Sequence, residues 1–178
     1  MSKRIPINQI TRLALLAALA LALSALESVF TPVLPPGAKA GLSNIAVMLA
    51  ASSLGLPAAL ILATVKAVYA LLFRGVLAFG MSLGGGAVSA FALWLLFRLA
   101  RGHLGILGIS MTGAVLHNAT QGLVALCVFG PAVLGYLPIL LLLSLPAGLV
   151  TGSLIGVLGH IVRRHTRLTC ATQHNQKG

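Results

Sequence analysis

The stretch GAVLHNATQG, residues 113–122, sets His117, Asn118 and Gln121 into an otherwise apolar run. On a helix, His117 and Gln121 lie one turn apart, Gly113 continues their face, and Asn118 precedes Gln121 by three residues. Two more groups interrupt apolar runs: Glu27, the single acidic residue of the chain, and Lys66, with Tyr69 one turn later. Ser24, Glu27, Ser28 and Thr31 share one helical stripe. The chemistry open to such a set is noncovalent. One Glu and no Asp cannot build a two-carboxylate metal site, and no nucleophile stands with a base and its orienter. The phosphate-cradling GxxxxGK[ST] loop is missing, so the chain cannot hydrolyse ATP by itself. No catalytic residue, metal or cofactor is therefore expected.

Each polar group admits two readings. Glu27 either meets water at the membrane interface or lines a cavity that opens outward; at membrane depth it would cost roughly 2.5 to 3.5 kcal/mol. Lys66 snorkels, pairs with Glu27, or binds an anion. His117, Asn118 and Gln121 either bond helix to helix or line a ligand site with Lys66 and Glu27. Arg74 reads as an interfacial anchor. The outer half carries Lys39, Lys66 and Arg74 against Glu27 alone, so an anionic ligand would relieve an electrostatic cost.

The elements that must position these groups are membrane helices. Of 178 residues, 58% are hydrophobic and 7% charged, and the mean hydropathy is +1.05. Such values belong to an integral membrane protein. At roughly 20 residues per span, the length allows a six-helix bundle as one domain over residues 1–168, with a short polar tail over 169–178. Apolar runs between breakers place the spans near residues 10–30, 42–55, 57–73, 80–99, 104–129 and 134–162. The second and third are short for a perpendicular crossing, which leaves them tilted, extended into their loops, or irregular where protein shields them.

The net charge of +11 does not point to nucleic acid, because the cations are not interleaved with aromatics on a soluble face. Lys3, Arg4 and Arg12 precede the first run, Arg98 and Arg101 follow the fourth, and Arg163, Arg164 and Arg167 close the last. This positive-inside pattern predicts cytoplasmic termini and a multi-pass protein of the cell membrane in contact with lipid. Ala22-Leu23-Ser24 could pass for a signal-peptide cleavage site, but the polar stripe beyond it is organised with the helix, so the span is read as retained. Cys127 lies in an apolar run and Cys170 in the basic tail, which argues against a disulfide. Gly84, Gly85 and Gly86, followed by Ser89, would let another backbone approach closely. Ala14, Ala18 and Ala22 stand four residues apart, a spacing at which small residues admit a second helix.

Three segments, PGAKAGLSN at 36–44, GGGAVSAF at 84–91 and GISMTGAVLHNATQ at 108–121, together resemble the Gx transporter family, whose members are often labelled heptaprenyl diphosphate synthase component I. The likeness runs from about residue 10 to 165. That family is grouped with the substrate-binding S components of energy-coupling-factor transporters. The resemblance implies a six-helix bundle with a substrate pocket near its outer side, capped by the loop after the first helix. It also implies docking of the first helix, through Ala14, Ala18 and Ala22, onto a transmembrane coupling protein driven by two cytoplasmic ATPases. Where members commonly carry Leu and Arg, this chain has Ala40 and Lys66; a Lys keeps the charge but loses the planar fork.

The expected function is a substrate-binding membrane subunit for a small, anionic or polar micronutrient or precursor. Lys39, Lys66 and His117 would offer charge or donors, Asn44, Asn118 and Gln121 would orient the ligand, and Glu27 would pair with Lys66 or accept from the substrate. The alternative is a non-catalytic membrane accessory of heptaprenyl diphosphate synthesis or quinone metabolism. A catalytic role there is excluded, since such synthases hold magnesium diphosphate with Asp-rich motifs and the chain has no Asp. A third possibility is a solitary facilitator working without ATP-driven partners.

Overall fold

The computed structural model describes residues 7–30, 41–99 and 105–175, with side chains described through residue 157 except at Phe30. Lys39, Ala40 and Thr31 lie outside the described residues. Six helices follow in order: α1 (Ile7–Phe30), α2 (Asn44–Ser53), α3 (Leu56–Arg74), α4 (Val76–Leu99), α5 (Ile106–Phe129) and α6 (Leu137–Asn175), with a 3-10 turn over Gly130–Gly135 between the last two. No strand occurs among the described residues. The expected all-α bundle is thus observed, and its helix bounds follow the apolar runs. The tail expected to begin at residue 169 starts within the α6 backbone.

Five helices are long and apolar enough to cross a membrane; α2 is the exception. At 10 residues it rises about 15 Å, half of a hydrocarbon core of about 30 Å. The short second run is resolved by shielding, because α2 packs against α1, α3, α4 and α6 and buries Ile45, Ala46, Val47, Met48, Ala50 and Ala51. A helix apolar on every side belongs in a core. Its end is set by Gly55 at φ 89°, where Leu54 and Gly55 both donate to the Ala50 carbonyl, at 2.8 and 3.0 Å. Pro57 then opens α3, where its missing N–H costs nothing.

Small residues make up much of the interior, beside Val47, Met48, Leu62 and Leu140. Ala20, Ala46, Ala50, Ala59, Ala67 and Ala90 are fully buried. Many large apolar side chains point the other way: Leu15, Leu72, Phe73, Val76 and Leu142 are among the most exposed. In water this surface would be a severe liability; against lipid it is the ordinary arrangement, and close backbone packing replaces the hydrophobic drive between helices. Helices α3 to α6 pack each on the next. Along α1, Ala20, Ser24 and Glu27 turn inward while Ala14, Ala18 and Ala22 are exposed on the face turned away.

Candidate functional site

The polar groups that the sequence scatters over five segments converge at the N-terminus of α2. Glu27 of α1 is buried there, and it accepts from the Ser43 backbone N–H at 3.3 Å and from the Ser43 hydroxyl at 2.9 Å. Ser43 directly precedes α2, so the carboxylate stands at the positive end of that helix, where a negative charge is favoured. This explains how the one acidic residue tolerates burial. Asn44, the first residue of α2, accepts at Oδ1 from the Lys66 ammonium at 2.7 Å. Charge-assisted bonds of this length are roughly twice as strong as neutral ones.

Lys66 begins a stripe on α3 that continues through Ala70 to Arg74, two steps of four residues. All three line the same cleft, with Tyr69 beside them. The Arg74 guanidinium reaches the Ser28 hydroxyl at 3.4 Å, and the Tyr69 hydroxyl lies 3.4 Å from that same oxygen. Arg74, read from sequence as an interfacial anchor, is half-buried and forms part of the cleft wall. Its position on the Lys66 stripe was the available signal. Ser24, which shares the Glu27 stripe, also lines the cleft, as do Ser43 and Ser82; nothing in the sequence separates Ser82 from other helix serines.

The far wall comes from α5. His117 and Asn118 line the cleft, together with Ala114 and, from α6, Ala147. Gln121 does not belong to that lining: it is fully buried and stands behind His117, its Nε2 3.0 Å from the imidazole Nε2. By angle Gln121 falls between His117 and Asn118, but it stands about 6 Å further along α5 than His117, where its side chain packs against Gly85 of α4. Gly85 makes that contact possible, because a Cβ there would stand 2.8 Å from the His117 carbonyl.

The bonds define a direction through this rung. With the Gln121 amide donating to Nε2, His117 carries its proton on Nδ1, which faces the Ser89 hydroxyl at 3.4 Å. Ser89 in turn donates to the Gly86 carbonyl at 3.1 Å. Gln121 Oε1 is buried without a partner, a cost of about 1–3 kcal/mol. Exchanging the amide's O and N would orphan the NH2 group instead, so the rung leaves one polar group unsatisfied either way.

The space inside the cleft is about 20 Å³, enough for a water molecule. A smaller space of about 10 Å³ continues inward past Asn44 and Ala114 toward Ser89, Ser110 and Thr151. A roomier cavity, about 380 Å³, lies elsewhere, between α4, α5, the 3-10 turn and α6. It is walled by Leu77, Met81, Phe129, Val133 and Leu140 and offers little to select a polar ligand, although the Tyr136 hydroxyl at its edge is buried without a partner. No group of three His, Cys, Asp or Glu that could hold a metal occurs among the described residues.

Comparison with known proteins bears on this geometry. The family described as heptaprenyl diphosphate synthase component I matches residues 16–158. The chain belongs to that family. In structure, this member of the component I family is similar to the protein of "Structure and mechanism of the S component of a bacterial ECF transporter", with a TM-score of 0.52 and 19% identity, over 92% of this chain and 97% of that one. No curated protein matches the component I chain in sequence. The resemblance carried by residues 36–44, 84–91 and 108–121 is thereby established at the level of family and fold. The protein is a multi-pass membrane protein with the architecture of an S component.

Proposed function

We propose that this protein is the substrate-binding subunit of an energy-coupling-factor type transporter in the cell membrane, taking a small anionic compound. The observation that carries the reading is the cleft: Lys66, Arg74, His117 and Asn118 converge with Glu27 and Asn44 inside a bundle whose buried core is otherwise mostly alanine and aliphatic side chains. Buried ionisable groups in membrane helices are expensive and mark ligand or ion sites. The cations outnumber the carboxylate, so an oxyanion balances the cleft. Lys66 and Arg74 hold the oxyanion, Asn44 and Asn118 orient it, and Glu27 accepts from the ligand. His117 is fixed by Gln121 and Ser89 and faces the ligand from the opposite wall. Lys39, which lies outside the described residues, adds a further cation from the loop after α1.

Catalysis is not part of this reading, since one Glu and no Asp cannot build a two-carboxylate metal site. Energy comes from partners, because the chain has no phosphate-cradling loop of its own. The exposed face of α1 bearing Ala14, Ala18 and Ala22 suits close docking of a transmembrane coupling protein, which cytoplasmic ATPases would drive. The similarity of fold to an S component supports this assignment over a synthase accessory.

The test is Lys66→Met in the purified chain. Ligand affinity is expected to fall by about 100-fold or more, as for loss of a buried charged partner, with helix content unchanged by circular dichroism. An affinity equal to that of the parent protein would overturn the assignment. Ala18→Phe separates the second half of the proposal: binding persists, while co-purification of the coupling protein is lost.

A further inference from the structure

The polar groups of the cleft divide into two kinds. The charged ones are engaged within the protein: Glu27 with Ser43, Lys66 with Asn44 and Arg74 with Ser28. Two neutral ones, Ser82 of α4 and Asn118 of α5, bond to none of the described residues, although they are only 4% and 5% exposed. Resting on the reading of this cleft as the substrate site, we propose that Ser82 is a specificity-determining contact. Together with Asn118 it binds a neutral hydrogen-bonding group of the substrate, a hydroxyl, carbonyl or amide, while the charge of the substrate is met from α3.

A hydroxyl inside a helix ordinarily returns its proton to a carbonyl three or four residues earlier. Ser28, Ser89, Ser144 and Thr151 all do so. Among the described residues, the buried serines whose side chains make no such bond, nor any other, are Ser24, Ser82 and Ser110. All three line the cleft or the smaller space that continues inward from it. Unspent hydroxyls thus collect where a ligand would find them. Ser24 precedes Glu27 on one stripe of α1 and belongs with the charged side. Ser110 faces the inner space of about 10 Å³, which has room for about one water at most. Ser82 remains, and it shares the cleft wall with Asn118.

Neither residue is sealed off. The side-chain polar atoms that are both enclosed and without a partner are Gln121 Oε1 and Tyr136 Oη, and neither residue lines the cleft. The Ser82 hydroxyl and both amide atoms of Asn118 are therefore reachable from the cleft. A hydroxyl and a carboxamide each donate and accept, so the pair can take a group of either polarity but offers it no charge. The helices keep the same division. Among the described residues α4 and α5 bring no Lys, Arg or carboxylate to the cleft, whereas α1 and α3 bring Glu27, Lys66 and Arg74. A substrate that fills the cleft excludes water from Ser82 and Asn118. One with a neutral polar group at that place restores their bonds, and one without it leaves them unmade, so the pair discriminates between otherwise similar anions. The Tyr69 ring and the alanines of the lining are left to meet the rest of the molecule.

The purified full-length chain is incubated with a small-molecule extract of its host cells, and the compound it retains is recovered by denaturation, identified by mass spectrometry and used as the titrant. Ser82→Ala removes one oxygen and keeps the packing size. Affinity for that compound should fall about 10-fold in Ser82→Ala and by a similar factor in Asn118→Ala. Ser144→Ala should leave it unchanged, since that hydroxyl is spent on the Leu141 carbonyl. An analogue of the compound without its neutral polar group separates contact from support: it should bind the parent chain about 10-fold more weakly than the compound does, and bind parent and Ser82→Ala alike. Equal weakening of compound and analogue by Ser82→Ala would make the hydroxyl a structural group and overturn the inference. Affinity indifferent to Ser82→Ala, or a retained compound with no neutral hydrogen-bonding group, would overturn it too and leave the transporter reading standing on Lys66. Ser82→Ala decides even if Asn118→Ala fails to fold. Retention of nothing by a folded parent chain would overturn the transporter reading and this inference with it.

Discussion

Two buried polar clusters sit within one bundle and behave differently. At the N-terminus of α2, Glu27, Ser43, Asn44 and Lys66 join α1, α2 and α3 around a cleft. One layer behind, Ser89, His117 and Gln121 join α4 to α5, and of these only His117 reaches the cleft. Both clusters spend hydrogen bonds inside a membrane protein, where unsatisfied groups are costly. Only the first carries charges of both signs. The second has no carboxylate, holds an orphaned Gln121 oxygen, and closes a helix contact so tight that a Cβ on Gly85 would meet the His117 carbonyl at 2.8 Å. Burial of polar residues alone does not mark a ligand site; charge and an open side do.

The contrast can be broken by mutation. The largest effect on binding is expected from Lys66→Met, about 100-fold or more in affinity, with the thermal midpoint in detergent little moved; a large fall in midpoint would instead make Lys66 a structural residue like Gln121. Next comes Gly85→Ala. Its new methyl meets backbone, which cannot rotate aside, so stability should drop by about 1–3 kcal/mol, and affinity should follow only through the displaced His117. Chemical unfolding measured beside ligand titration separates the two quantities. The smallest effect belongs to Gln121→Leu, which removes a bond and an orphaned oxygen together and should change stability by less than about 1.5 kcal/mol. Affinity should fall less than about tenfold, through looser positioning of His117. A loss matching that of Lys66→Met would return Gln121 to the ligand shell.

Much of this could be read from the chain. Apolar runs locate the long helices, because a span must satisfy its backbone internally and announces itself by length. Glu27, Asn44, Lys66, His117 and Asn118 do share one cleft, since polar groups in hydrocarbon have few places to go. Gln121 was harder: it does share the face of His117 and Asn118, but one turn further along α5 that face meets α4 at Gly85 instead of the cleft. Arg74 shows the opposite error, a cation at a helix end that reads as an anchor until its stripe with Lys66 is counted. The central position of α2 was not legible, because a short apolar run looks alike whether it crosses poorly or is wrapped by its neighbours.

The alanine interior reverses the usual mutational asymmetry. In a soluble core the damaging change is deletion, since large side chains leave voids when trimmed. Here Ala20, Ala46, Ala50, Ala59, Ala67 and Ala90 have almost nothing to lose, and the damaging change is growth, each added carbon pushing two backbones apart. The alanine positions should therefore tolerate little change, whereas at the lipid-facing rim Leu, Val and Phe should replace one another freely. Variation across relatives should be read inside out: the quiet positions are the small ones, and the greasy ones carry the noise.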